Sequence, residues 1–126
     1  MVSSLITPTS SMNNKTRHIV FIVFAVLAFA VMLYHTVGAV HPFDATPAWR
    51  HTVFIGVCTV CIYGVLKRPG WFVWFFGILT VQQLYSHGSH LLLLFKENKF
   101  NPIDAAIVFV MPLVFILLLT GKKITP

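Results

Sequence analysis

The sequence has few charged residues and very few acidic ones. Charged side chains make up 10% of its 126 residues, and only three of them are acidic. A soluble domain carries about 25% charged residues, so this chain cannot cover a water-facing surface. Hydrophobic residues account for 57% of the sequence, and its mean hydropathy is +0.84. The composition therefore predicts an integral membrane protein with a single domain.

Cysteine is equally scarce, with only Cys58 and Cys61 inside an apolar run. Membrane thiol oxidases need an accessible pair and usually a second pair that relays electrons, so packing is favoured over redox chemistry here. No nucleophile–base pair points to a hydrolase, and no His-Glu-x-x-His motif is present. The nine Lys and Arg residues give a net charge of +6. They stand in short clusters between apolar runs, which argues against nucleic acid as a partner.

Four apolar stretches predict an all-α fold, an antiparallel bundle of four transmembrane helices in one domain covering residues 18–120. The predicted spans are residues 18–40, 48–66, 71–95 and 103–120. Each has about 18–25 residues, which matches a hydrocarbon core of about 30 Å. The first stretch is too long for the apolar core of a cleaved signal peptide. Residues 1–17 are predicted to form a flexible leader, and residues 121–126 a short basic tail.

The connections carry helix-breaking and helix-starting residues. Two prolines, Pro42 and Pro47, interrupt the helical pattern after the first stretch. Asn101 is a suitable cap for the fourth helix, because Pro102 fits its first turn and Asp104 would lie near the positive end of its dipole. We expect Pro112 to kink this helix.

The basic residues predict the orientation. With four spans, both termini and the second connection share one side of the membrane. That side carries Lys15, Arg17, Lys67, Arg68, Lys122 and Lys123, and the other side carries Arg50, Lys96 and Lys99. The side with six basic residues is expected to face the cytoplasm rather than the side with three, so both termini are predicted to lie there. The charge bias and the short leader fit a bacterial inner membrane.

Polar side chains are concentrated in the third stretch, between Gln82 and His90, and five of the six histidines fall toward the outer side of the membrane. Imidazole is a common ligand for zinc, copper and iron, and two imidazoles on different helices can also hold a haem. We therefore expect a metal or haem site in the outer half of the bundle. Its predicted ligands are His35, His51, His87 and His90, and His41, Asp44 and Gln83 are additional or orienting groups. Gly88 would let a flat or bulky group approach closely.

The same residues leave other interpretations open. Interfacial histidines can simply bind headgroups, water or a neighbouring helix, and the chain would then be a non-enzymatic accessory subunit of a larger membrane complex. The polar cluster could also be a path for a substrate or a proton. Small multidrug exporters share the span count but depend on a membrane-embedded glutamate, whereas the acidic residues here lie in connections or at a helix end. The expected partners are the lipid bilayer and either other membrane subunits or further copies of this chain.

Overall fold

The computed structural model describes residues 13–41 and 43–121, and its regular structure there is entirely α-helical. Four helices follow one another, α1 (Asn14–Val40), α2 (Ala48–Lys67), α3 (Phe72–Lys96) and α4 (Pro102–Thr120). The predicted number of helices is therefore confirmed. Helix α1 begins earlier than expected, because residues 14–17 of the predicted leader are helical. Residues 1–12 and 122–126, which complete the predicted leader and tail, lie outside the described residues.

Local side chains explain the helix starts. The Asn13 side chain accepts a hydrogen bond from the backbone N–H of Lys15 at 3.1 Å, which caps α1. Asn101 caps α4 in the same way, with the backbone N–H of Ile103 at 2.9 Å, and Pro102 is the first helical residue. The predicted start of α4 is thus confirmed.

Backbone conformation explains two of the helix ends. His41 is extended, with φ −124° and ψ 98°, as expected of a residue that precedes a proline in the sequence. Helix α2 ends at Lys67, and the residue that follows it, Arg68, is left-handed, with φ 51° and ψ 49°. Glycine usually occupies such a position, because it carries no Cβ.

Three helices, α1, α2 and α4, are long and apolar enough to cross a membrane. Helix α3 has 25 residues, which is sufficient length, but it carries polar residues between Gln82 and His90 and is not among these three. By length and composition this is therefore a membrane-like helical protein, and three of the four predicted spans are apolar enough to cross a membrane.

The helices pack as two hairpins, α1 with α2 and α3 with α4, and the contacts between the hairpins are fewer. A shared apolar core joins the early turns of α1 and α3 to the late turns of α2 and α4. Its buried members are Phe21, Ala25, Cys61, Val65, Phe72, Phe76, Met111, Val114, Leu117 and Leu118. We call this the terminal end of the bundle, and the opposite end, with the α1–α2 and α3–α4 connections, the hairpin end.

Glycines allow three of the close approaches between helices. A Cβ on Gly64 would overlap the Phe72 ring, and a Cβ on Gly38 would lie 2.6–2.8 Å from three ring atoms of His51. Gly77 would meet Phe115 at 3.0 Å, whereas Gly56 has nothing within 4 Å. Three of these four glycines therefore allow neighbouring helices to pack closely.

Candidate histidine–carboxylate site

The four predicted histidine ligands do not form one site. Within residues 13–41 and 43–121, no group of three or more His, Cys, Asp or Glu side chains is placed to hold a metal ion. Instead, each hairpin holds a unit of its own. The first unit consists of Tyr34, His35, Asp44 and His51, and the second of His87, His90 and Asp104. A single metal centre built from all four histidines is therefore not supported.

The first unit is a chain of polar contacts that runs from the α1–α2 connection into the interface between the helices. The hydroxyl of Tyr34 donates to Oδ2 of Asp44 at 2.9 Å, and Oδ1 of Asp44 lies 3.4 Å from Nε2 of His51. Nδ1 of His51 is 2.9 Å from Nδ1 of His35, so one of these nitrogens donates and the other accepts. His51 is 1% exposed. The chain thus connects a loop carboxylate to a buried imidazole.

Hydrogen bonds to Asp44 determine which atoms donate and which accept along this series of polar contacts. The backbone N–H of Thr46 donates to Oδ1 at 2.8 Å, and together with the Tyr34 hydroxyl it lowers the pKa of Asp44 from 3.8 to about 2. The carboxylate is therefore charged at neutral pH and suited to accept from Nε2–H of His51. Nδ1 of His51 then accepts from Nδ1–H of His35, which leaves Nε2 of His35 as a free acceptor.

The second unit consists of one carboxylate shared by two imidazoles. Nδ1 of His87 is 2.6 Å from Oδ1 of Asp104, and Nδ1 of His90 is 2.6 Å from Oδ2. The Asp104 side chain is 6% exposed, whereas those of His87 and His90 are 28% and 56% exposed. In neutral rings, both contacts require the proton on Nδ1, so both Nε2 atoms carry a lone pair and point away from the carboxylate.

The α3–α4 connection brings Asp104 to these histidines. Helix α3 continues from His90 to Lys96, about 9 Å at 1.5 Å per residue. The chain then reverses at Asn98, whose φ is 54°, and Phe100 packs against Phe95, with ring centroids 6.4 Å apart. The connection therefore returns along α3, and α4 begins level with the second unit.

The remaining predicted residues lie outside both units. His41 is exposed at the end of α1. Gln83 is buried, but its side-chain amide donates to Oε1 of Gln82 at 2.8 Å rather than to an imidazole. Asp104, which we expected to act as a helix-terminus residue, does lie in the first turn of α4 but also accepts from both histidines. Its role at the site was not predicted.

An open groove of about 450 Å³ lies beside the second unit. Leu84, Tyr85, Gly88, Ser89, Leu91, Leu92 and Val108 line it. A Cβ on Gly88 would meet nothing within 4 Å. The backbone between the two histidines is therefore accessible to a bound group, in agreement with the space that we expected at Gly88.

Comparison with known proteins adds no functional assignment to this geometry. The chain matches no protein-family model, no curated protein and no solved structure.

Proposed function

We propose that the chain is an integral membrane protein in which all four helices cross the bilayer, with the hairpin end outside and both termini in the cytoplasm. Helix α3 packs against α4, which is apolar enough to span, and its 25 residues cover about 37 Å, more than the hydrocarbon core. The excess of Lys and Arg at the terminal end supports the orientation and fits a bacterial inner membrane.

We further propose that the second unit binds a transition metal ion through Nε2 of His87 and Nε2 of His90. The observation that carries this proposal is the pair of 2.6 Å contacts from the two Nδ1 atoms to one buried carboxylate. A carboxylate on one ring nitrogen orients histidine ligands and raises the basicity of the other nitrogen. Two imidazoles leave coordination positions open for water, a substrate or donors from another chain, as in catalytic rather than structural sites. Zinc and copper suit such ligands.

The geometry favours a metal ion over a haem. Two axial imidazoles must face each other across the haem plane. His87 and His90 lie three residues apart on the same helix, so their rings cannot lie on opposite faces of one haem. His35 and His51 do lie on different helices, but their direct contact at 2.9 Å leaves no room for a haem between them.

The test is elemental analysis of protein purified in mild detergent without chelator, before and after addition of zinc or copper. We expect about one metal ion per wild-type chain, its loss in the double variant His87→Ala/His90→Ala, and its retention in the matched control His41→Ala. Asp104→Asn should weaken metal affinity by about 10–100-fold, because it removes the charge that orients the rings. Metal retained by the double variant, or none bound by folded wild-type protein, would overturn the metal assignment. A Soret band in the visible spectrum would indicate haem instead.

A second candidate function is that of an accessory subunit in a larger membrane complex. Polar side chains on α3 face outward within the proposed span, and Tyr85, at 81% exposed, lies among the exposed residues Gln82, Ser86 and Ser89. Polar groups in a membrane usually face a partner or a cavity. Crosslinking in native membranes from a photoreactive residue at position 85 should capture a neighbouring chain, with position 78 on the same helix as the control. A chain that remains monomeric and uncrosslinked from position 85 would contradict this function.

A further inference from the structure

Two arginines at the terminal end have no role in the histidine units. Arg17, in the first turn of α1, is 9% exposed. The Nε atoms of Arg17 and Arg68 are both buried without a hydrogen-bond partner among the described residues. A buried guanidinium is costly unless its donors are satisfied. The remaining donors of these two guanidinium groups therefore favour a ligand that accepts hydrogen bonds and carries negative charge.

The acidic side chains cannot provide that charge. Asp44 and Glu97 lie in the two connections of the hairpin end, and Asp104 lies in the first turn of α4. These are all the acidic residues of the sequence. The exposed Lys15 and Lys67 add further positive charge beside the two arginines. Among the described residues, the charged side chains of the terminal end are therefore all basic.

The backbone holds Arg68 at a position that normally favours glycine. Its left-handed conformation ends α2, and its N–H donates to the carbonyl of Gly64 at 2.8 Å. The guanidinium lies over the ring of Phe21, with its central carbon 5.4 Å from the ring centroid. This cation–π contact fixes the side chain beside α1, the helix that carries Arg17.

A cavity of about 250 Å³ opens next to these arginines. Arg68, Pro69, Gly70, Phe72, Val73, Trp74, Leu118, Leu119 and Gly121 line it. Arg17 reaches the same place, because its Nη1 lies 3.8 Å from where a Cβ on Gly121 would stand. Trp74 is 79% exposed, as is usual for an aromatic residue at a membrane interface. The cavity thus has the Arg68 guanidinium in an otherwise largely apolar wall, and the Arg17 guanidinium lies next to Gly121 at its edge.

We propose that this cavity binds the phosphate of an anionic phospholipid in the cytoplasmic leaflet. The guanidinium groups of Arg17 and Arg68 donate to the phosphate oxygens, as arginine forks commonly do, and an acyl chain lies along Trp74 and Leu119. Basic cavities between transmembrane helices on the cytoplasmic side are suited to such headgroups. The apolar wall favours a lipid over free phosphate. This inference rests on the membrane orientation proposed above but not on the metal site.

Native mass spectrometry of the intact chain in detergent tests the lipid site, with phosphatidylglycerol, phosphatidylcholine and inorganic phosphate as separate probes. We expect one phosphatidylglycerol to be retained in preference to phosphatidylcholine. Arg17→Gln/Arg68→Gln should bind phosphatidylglycerol about thirtyfold more weakly, since the loss of each arginine's direct hydrogen bonding to the phosphate accounts for about a fivefold factor. The control Lys15→Gln/Lys67→Gln removes the same net charge from exposed positions and should bind within about threefold of wild type.

Three results would overturn the proposal. The first is that wild-type protein shows no preference between the two lipids. This result requires no variant, so a folding defect cannot explain it. The second is an equal loss of affinity for phosphatidylglycerol in the lysine control, which would show that only net charge matters. The third is displacement of the lipid by inorganic phosphate at similar concentration, which would identify a soluble ligand. The variant Arg17→Lys/Arg68→Lys keeps both positive charges but loses the planar guanidinium groups, which can donate two parallel hydrogen bonds. We therefore expect its affinity for phosphatidylglycerol to lie between those of wild type and the glutamine variant. Bound metal at the hairpin end should be unchanged in all these variants.

Discussion

Replacing Gly64 by alanine tests the packing that joins the two hairpins. Gly64 lies near the end of α2 and faces the ring of Phe72, the first residue of α3. The methyl group of alanine would overlap ring atoms that include Cγ, so rotation of the far edge of the ring cannot relieve the contact. Phe72 is 0% exposed, which leaves its ring no free space to enter. Helices α2 and α3 must therefore move apart.

The expected cost follows from two opposing terms. Overpacking a well-packed core costs about 1–3 kcal/mol, and the fully buried ring places this site at the upper end of that range. Alanine gains up to about 1 kcal/mol over glycine in a helix interior. The free energy of unfolding should therefore fall by about 2 kcal/mol. Gly56→Ala, in the same helix with nothing within 4 Å, should be neutral or stabilising by up to about 1 kcal/mol.

The measurement is reversible unfolding by a denaturing detergent in mixed micelles, followed by tryptophan fluorescence, for wild type and both variants. Trp71 and Trp74 flank the altered contact and report on it directly. Equal stability of Gly64→Ala and Gly56→Ala would refute the close approach of Gly64 and Phe72. It would also remove one of the observations, beside the shared apolar core, that place the terminal ends of the hairpins in contact.

Two further predictions concern the first unit. Gly38→Ala should displace the ring of His51 and break its contact with His35, because the new methyl group would lie 2.6–2.8 Å from three ring atoms. Imidazole ¹⁵N NMR should then show altered signals for these two histidines alone, and an unchanged spectrum would contradict the packing. Asp44 should titrate near pH 2 by carboxyl ¹³C NMR, and Tyr34→Phe should raise its pKa by removing one donor. Because the folded pKa lies below the ordinary 3.8, the stabilisation from Asp44 is present above pH 3.8 and is lost as the pH falls toward 2.

The sequence was sufficient to predict the helices, because their signals are local. Long apolar runs separated by proline-containing or basic connections define four helices, and the Asn101–Pro102 pair defines the start of α4. The composition of α3 explains why it is not among the helices that are apolar enough to cross a membrane. The residues that make it polar are those that we had assigned to a site.

The arrangement of the site was not predictable, because it depends on how the connections return. His35 and His51 lie at similar distances from the α1–α2 connection, so their contact follows from a simple antiparallel hairpin. Asp104 would face the last turn of α3 in a hairpin of that kind. The reversal at Asn98 and the return of the connection along α3 instead place it beside His87 and His90. Pairing within hairpins, rather than across them, separates the predicted site into two units.

The shared carboxylate of the second unit also bears on how the protein enters the membrane. In the proposed four-span topology, α3 would partition into lipid less readily than the three helices that are apolar enough to span, and Asp104 would carry an unpaired charge at the start of α4. When the two helices pair, each oxygen of that carboxylate meets an imidazole, and the polar groups satisfy one another. We therefore expect the translocon to release α3 and α4 together. In the proposed four-span topology, the carboxylate would make the hairpin, rather than the single helix, the unit of biogenesis for this half of the protein.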